Sequence, residues 1–276
     1  MSEPAALPDP SLDSRAAPAD ALTASDAAAI AHFRAEGWAR LGATVGEEML
    51  VALRARADDL MLGRVVVPGM FFQLDAESGN YQELSRGKGF QGPSLRYRKM
   101  EKLERDPLFR ALIDTPRFGA IAHAVLGPAI SLYRAVLFSK SAAGGTHLPW
   151  HQDAGTFWGI TKDPELQIWT ALDDAPVESG CVEVVPRSHQ GGLATPLGGV
   201  IPDYVAIPAD AAARAIPLPA RAGESLLIHN HCWHRSGLNS TGKPRRALTI
   251  CLMDAATRCR RAKSPREFVR LYETKR

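Results

Sequence analysis

His151-Gln152-Asp153 sets an imidazole and a carboxylate two residues apart. On an extended strand, residues at that spacing project from the same face, so one metal ion can take both with little strain. A second imidazole must then come from far along the chain, where His229, His231 and His234 are available. Two imidazoles and one carboxylate on one face of a metal, with the opposite face open, suit non-haem Fe(II) and oxygen chemistry. Arg245 and Arg246 follow, and a guanidinium matches the carboxylate of a bound 2-oxo acid in charge and in plane. A zinc site built from the same histidines lacks its thiolates, because Cys232 is isolated among them.

Such a constellation needs strands to carry it. From Pro128 onward, Ile130–Ser139, Leu166–Leu172, Val182–Val185, Ser225–His229 and Ala247–Met253 are apolar, β-branched or alternating runs. Glycine-rich turns separate them, at Gly144-Gly145, Ser179-Gly180, Gly191-Gly192, Gly198-Gly199 and Ala222-Gly223. Upstream, the pattern predicts helices over 25–36, capped by Ser25 or Asp26, over 47–61, over 105–113, and over 116–125 ended by Gly127-Pro128. The stretch 62–96 reads as long loops with one strand around Val65–Val67, and loops of that length often serve as lids or binding segments. Short strands with turn-rich links, and helices confined to one end, make a mainly β double-sheet jelly roll with N-terminal helical support.

Residues 1–24, rich in Ala, Pro, Asp and Ser, read as a disordered lead-in. The remainder, 25–276, reads as one domain: helical over about 25–127, a β core over about 128–254, and a tail over 255–276. Lys and Arg number 33 against 30 Asp and Glu, for a net charge of +3. That balance argues against a nucleic-acid partner, and no apolar run is long enough to span a membrane. The basic stretch in the tail (Arg258, Arg260, Arg261, Lys263, Arg266) reads as a solvated surface. Four cysteines without a CxxC pair fit reduced thiols, and with no secretory signal the expected compartment is the cytoplasm. Oligomeric state leaves no trace in the sequence.

Three segments carry a family likeness: LPWHQDAGTFWG (148–159), LQIWTALDDAPVESGCVEVVPRSHQGGL (166–193) and GESLLIHNHCWHRSGLNSTGKPRRALTICL (223–252). In order and spacing they resemble the phytanoyl-CoA dioxygenase family, over roughly residues 90–254. The resemblance implies a double-stranded β-helix of the cupin-like kind and an Fe(II)- and 2-oxoglutarate-dependent oxygenase that converts 2-oxoglutarate and O2 to succinate and CO2. The family's His-x-Ser-Gly-x-Asn stretch falls on His234–Asn239, which selects His234 as third ligand beside His151 and Asp153. The same pattern puts the 2-oxoglutarate-binding arginine at Arg245, and alternation agrees, since 245, 247 and 249 share a face that Arg246 does not. Trp169 matches a tryptophan of the cosubstrate pocket, and Ser236 is a further donor to it. A basic residue upstream of the barrel corresponds to Lys99 or to its neighbour Arg98. Asp153 stands where related halogenases have a small residue, so hydroxylation is the expected outcome.

Around that centre, Phe157 and Trp158 read as pocket walls just past Asp153, and Gln152, Tyr97 and Arg98 as substrate contacts. His229 and His231 read as strand or pocket-wall residues. The expected function is hydroxylation of a C–H bond in a small-molecule metabolite. The alternatives are a metal-binding β-helix protein without turnover and an oxygenase acting on a protein substrate. An acyl-CoA substrate would be inherited from the family name and is read from no residue here.

Overall fold

The computed structural model describes residues 22–142 and 144–273. The expected lead-in over 1–24 lies almost wholly outside the described residues. Helix α1 (Ala24–Glu36) begins ahead of the Ser25 or Asp26 cap that the sequence suggests. Thr23 caps it and Asp26 completes a capping box, accepting from the Thr23 N–H at 3.3 Å while its own N–H donates to Thr23 Oγ1 at 3.0 Å. Strand β1 (Trp38–Ala43) follows, then α2 (Glu47–Met61), whose acidic first turn complements the helix dipole.

The strand expected at Val65–Val67 does not form. Val65 and Val67 pack against the core without entering a ladder, and the Pro68-Gly69 turn delays the strand to β2 (Phe71–Leu74). Strand β3 (Tyr97–Glu101) pairs with it. Helix α3 (Pro107–Ile113) starts at Pro107, with Asp106 accepting from the N–H groups of Leu108 and Phe109. Helix α4 (Pro116–Leu126) ends at Gly127.

The β core follows as β4 (Ile130–Lys140), β5 (Leu148–Gln152), β6 (Leu166–Ala171), β7 (Val182–Val184) and β8 (Gly199–Val200). After the short helices α5 (Asp203–Ala206) and α6 (Ala211–Arg214) come β9 (Ile216–Leu218), β10 (Glu224–His229), β11 (His234–Ser236), β12 (Arg245–Asp254) and β13 (Arg270–Leu271). The larger sheet runs β1-β10-β6-β12-β4-β3-β2, with β13 added against β4, and the smaller runs β8-β5-β11-β7-β9. Every pairing is antiparallel, from β1 on β10 through to β9 on β7. This is a double-stranded β-helix, the jelly roll expected from the strand pattern. The first half is less purely helical than its sequence reads, since β1, β2 and β3 edge the larger sheet.

Period-two alternation divides the larger sheet into two working faces. Leu227, Ile168, Leu248, Ile250 and Leu137 point outward into a core shared with Phe33, Leu53, Phe109 and Ile121 of the helices. Their strand neighbours Leu226, Trp169 and Ala247 point inward against Val182, Val184 and Leu218 of the smaller sheet. The helices therefore cover one face and leave the other to form the mouth between the sheets. Among the described residues, no helix is long and apolar enough to cross a membrane.

Candidate metal centre and anion pocket

Strands β5 and β11 lie side by side with His151 directly opposite His234, and the two rings are 4.0 Å apart between centroids. Asp153 stands one residue beyond β5. Its backbone is clamped there by buried Asn230, whose carbonyl accepts from the Asp153 N–H (3.0 Å) and whose Nδ2 donates to the Asp153 carbonyl (2.8 Å). The result brings one ligand atom from each of His151, Asp153 and His234 within 4.8 Å of one another. Among the described residues this is the one group of three or more such side chains close enough to hold an ion.

The protonation states also suit a metal. Each ring Nδ1 sits 2.9 Å from the carbonyl oxygen two residues before it, Pro149 for His151 and Cys232 for His234. A carbonyl can only accept, so Nδ1 carries the hydrogen and Nε2 presents its lone pair, the usual way an outer partner sets a ligand's tautomer. Burial, with His234 beside it, pushes His151 down to about 3, which keeps it neutral. Burial alone would raise the Asp153 carboxyl, but Arg134, with the two imidazoles, outweighs it and holds the group well below the usual carboxylate range. Two imidazoles that turn Nε2 toward one point and a carboxylate beside them are what a divalent cation requires, so this donor set fits the metal.

The neighbouring histidines face elsewhere. His231 Nε2 meets Asp163 Oδ2 at 3.0 Å, and His229 Nδ1 accepts from the His231 N–H while its ring lies against Phe33.

Beside the triad is a cavity whose lining includes Arg98, Lys140 and Arg245. Arg245 opens β12 directly opposite Lys140, the last residue of β4. Both are buried, and neither donates to a carboxylate: Arg245 Nη2 reaches Gly180 O (2.8 Å) and Lys140 Nζ reaches Thr146 O (2.6 Å). Burial lowers Arg245 to about 10, and burial with Arg245 and Arg98 close by pushes Lys140 down to about 6. Arg98 donates to Gln73 Oε1 at 2.7 Å. Asp75 faces Arg98 and Lys140, but Thr146 occupies its Oδ1. Arg245 Nε, Gln167 Nε2 and Thr249 Oγ1, all on residues lining this cavity, are buried with no partner. Each such atom costs roughly 1–3 kcal/mol, and three of them beside two guanidiniums and the Lys140 amine describe a slot shaped for an anion.

Of the residues expected from sequence, Arg245, Trp169, Ser236 and Arg98 line this cavity together with His151, Asp153 and His234. Lys99 does not. Its ammonium pairs with Glu101 and sits over Phe71 and Phe138. The ladder pairs Gln73 with Lys99 but Leu74 with Tyr97, so Arg98 is a bulged residue, and bulges re-aim side chains. Tyr97 is likewise no substrate contact. It is fully buried, accepting from the Gln91 N–H (2.7 Å) and donating to Gly92 O (2.9 Å). Gln152 turns away from the metal face and spends its amide on Gly192 O, His231 O and the Ala194 N–H, each at 2.7 Å. Trp158 is buried with its ring stacked on Tyr133, while Phe157 is half exposed against Gly199. Sequence reasoning overlooked Arg134, whose Nη2 lies 2.9 Å from Asp153 Oδ1. The signal was a single cation inside the apolar run ISLYRAVLF.

The model of the family described as phytanoyl-CoA dioxygenase (PhyH) matches residues 33–247. The mouse (Mus musculus) phytanoyl-CoA dioxygenase domain-containing protein 1 is 31% identical over 159 residues, covering 55% of this chain and 54% of its own. The chain thus spans about half the length of the curated relatives it matches. Among solved structures, the carbocyclase SnoK from nogalamycin biosynthesis superposes with a TM-score of 0.67 at 20% identity, covering 92% of this chain and 98% of its own. The epimerase SnoN in complex with Fe3+, alpha ketoglutarate and nogalamycin RO gives a TM-score of 0.65 at 22% identity, covering 86% and 87%. At these identities the structures share the fold.

Proposed function

The chain belongs to the phytanoyl-CoA dioxygenase family, and from that premise we propose that it is an Fe(II)- and 2-oxoglutarate-dependent dioxygenase that hydroxylates a C–H bond of a small-molecule metabolite. The observation that carries the reading is the adjacency of two donor sets: a triad of two imidazoles and a carboxylate, and a pocket where the buried Arg245 and Lys140 donate to backbone carbonyls and not to acids. A metal alone would account for the first. A ligand that chelates a metal at one end and bears a carboxylate at the other accounts for both.

In this reading His151 and His234 hold iron through Nε2 and Asp153 through a carboxylate oxygen. When bound, iron with 2-oxoglutarate and O2 supplies the oxidising power, the cosubstrate leaving as succinate and CO2. The chain's own residues supply binding, orientation and dryness. Arg245 offers its free Nε to the distal carboxylate, a charge-assisted contact stronger than a neutral one. Thr249 and Ser236 add hydroxyls, Gln167 an amide N–H, and Trp169 a rigid wall. Arg98 adds further positive charge at that end, and Lys140 adds an N–H donor beside it. Asp153 occupies the position that a halogenase would leave to a halide, which favours hydroxylation. SnoN, seen with nogalamycin RO, lends support to a small-molecule substrate.

The test is an anaerobic titration of the Fe(II)-loaded protein with 2-oxoglutarate, followed by the weak visible charge-transfer band of a chelated 2-oxo acid. A band that appears in the wild type and is lost in Asp153→Ala is the expected result. Iron binding without any band in the wild type would remove the cosubstrate from the reading.

A further inference from the structure

The Asp153 side chain is partly covered, 15% exposed, and its two oxygens face different partners. Oδ1 takes the Arg134 guanidinium at 2.9 Å, and Oδ2 is turned to His234 Nε2 at 3.8 Å. Arg134 comes from β4 in the larger sheet, whereas the triad residues belong to the smaller sheet and the turn that follows β5. The β4–β12 ladder pairs Arg134 with Cys251 but Leu132 with Leu252, so Tyr133 is a bulged residue. Both side chains then meet Trp158. The Tyr133 ring stacks on it at 4.3 Å with the planes 5° apart, and the Arg134 guanidinium lies 4.8 Å from its centroid. The guanidinium is thus held by a rigid aromatic wall as well as by its salt bridge. Glu101, the other acid facing it, is already paired with Lys99.

We propose that Arg134 is a positioning residue for the metal site, holding one oxygen of Asp153 so that the carboxylate is fixed and turned to a metal through its other oxygen before any metal arrives. The inference rests on the metal reading above and adds a positioning residue to it. The Arg134–Asp153 contact links β4 of the larger sheet to the turn after β5, so the carboxylate is set in place by folding and does not wait for the cation. The same guanidinium then stands next to an incoming divalent charge and opposes it. Arg134 therefore exchanges metal affinity for a pre-formed, single-oxygen carboxylate ligand, of the kind that leaves further positions on the metal for other ligands.

The experiment compares thermal unfolding and Mn(II) binding in the wild type, Arg134→Leu and Arg134→Lys, with no cosubstrate and no turnover. For Arg134→Leu, the metal-free form should melt lower than wild type, while Mn(II) at equal free concentration should raise its Tm by more. Its Kd for Mn(II) should be about tenfold smaller, reflecting the loss of one nearby repelling charge. Arg134→Lys, which keeps the charge, should show a wild-type Mn(II) shift. Should the leucine variant not fold, Arg134→Gln against Arg134→Lys poses the same contrast of charge removed and charge kept. Equal loss of Tm with and without Mn(II) would make Arg134 a packing partner of Trp158 and overturn the proposal, as would weaker Mn(II) binding in the charge-free variants. A wild type that binds no Mn(II) would overturn the metal reading itself, a result separable from the other two.

Discussion

Arg245 and Arg246 are chain neighbours, yet one is left with an unpartnered buried Nε while the other is saturated. Arg246 donates to both oxygens of Asp173 (2.8 and 3.0 Å) and to Asp58 on α2 (2.7 Å), tying that helix to the sheet. Replacing each with alanine should therefore separate binding from stability. Arg245→Ala should weaken 2-oxoglutarate binding by about tenfold to a hundredfold, the worth of a hydrogen bond to a charged group. The empty protein should lose no stability, because an uncompensated buried cation goes with it. Arg246→Ala should cost roughly 3 kcal/mol in denaturant unfolding, since it breaks a largely buried pair and leaves Asp173 with only Arg54 as ionic partner, and should leave the cosubstrate Kd nearly unchanged. Similar Kd values for the two variants would cancel the distinction. At this scale the triad was legible because its residue types are unusual and strand alternation fixes which of them share a face. The choice between Arg98 and Lys99 was not legible, because a bulge reverses facing without leaving a mark in the sequence. Gln152 and Tyr97 were misread for a related reason, since their partners are backbone groups, of distant segments for Gln152 and of the preceding loop for Tyr97.

Long strands could be read from their apolar alternation, but β8, β9 and β11 have two or three residues each and carry no period. They exist because loops press them against β5 and β7, and the tightest of these contacts sits just beyond Asp153. A Cβ on Gly198 would lie 2.0 Å from Ala154 O, and one on Gly155 would lie 2.2 Å from Leu197 O. Both glycines have positive φ, at +77° and +122°. The two segments thus meet backbone to backbone, joined by the Gly199 N–H to Ala154 O at 3.2 Å. Gly198→Ala should force the 154–158 segment outward and carry Asp153 with it, lowering stability by about 3 kcal/mol or more from strain and clash together. Mn(II) affinity should fall as well. Gly242→Ala is the control: φ is +69° but nothing lies within 4 Å of its Cβ, so it should cost about 1 kcal/mol and leave Mn(II) affinity intact. Equal Mn(II) affinities in the two variants would show that the docked segments do not position the carboxylate.

On the scale of the whole molecule, each sheet supplies half of the chemistry. His151 and His234 come from the smaller sheet, while Arg98, Arg134, Lys140 and Arg245 come from the larger one. The jelly roll was readable from its strands and turns, but this division was not, because it depends on which strands of a long antiparallel order become neighbours. It has a mechanical consequence. In the empty protein the sheets are joined across the mouth by apolar contacts such as Trp169 and Val182 and by the Arg134–Asp153 pair. Metal and 2-oxoglutarate together would add a continuous polar bridge from the imidazoles to Arg245. At a hundredfold excess over Kd such a ligand stabilises the fold by about 2.7 kcal/mol, and where that stabilisation appears is informative. Amide hydrogen exchange with Mn(II) and 2-oxoglutarate, under anaerobic conditions, should slow most in β5 and β11 and at the facing ends of β4 and β12. Amides of α2, α3 and α4 that exchange by local opening should keep their rates, because those helices cover the opposite face of the larger sheet. Mn(II) alone should slow β5 and β11 while leaving the start of β12 as it was, since the metal's ligands stop short of Arg245. Slowing confined to the smaller sheet even with both ligands present would mean that the cosubstrate does not reach Arg245, and the bridge between the sheets would have to be abandoned.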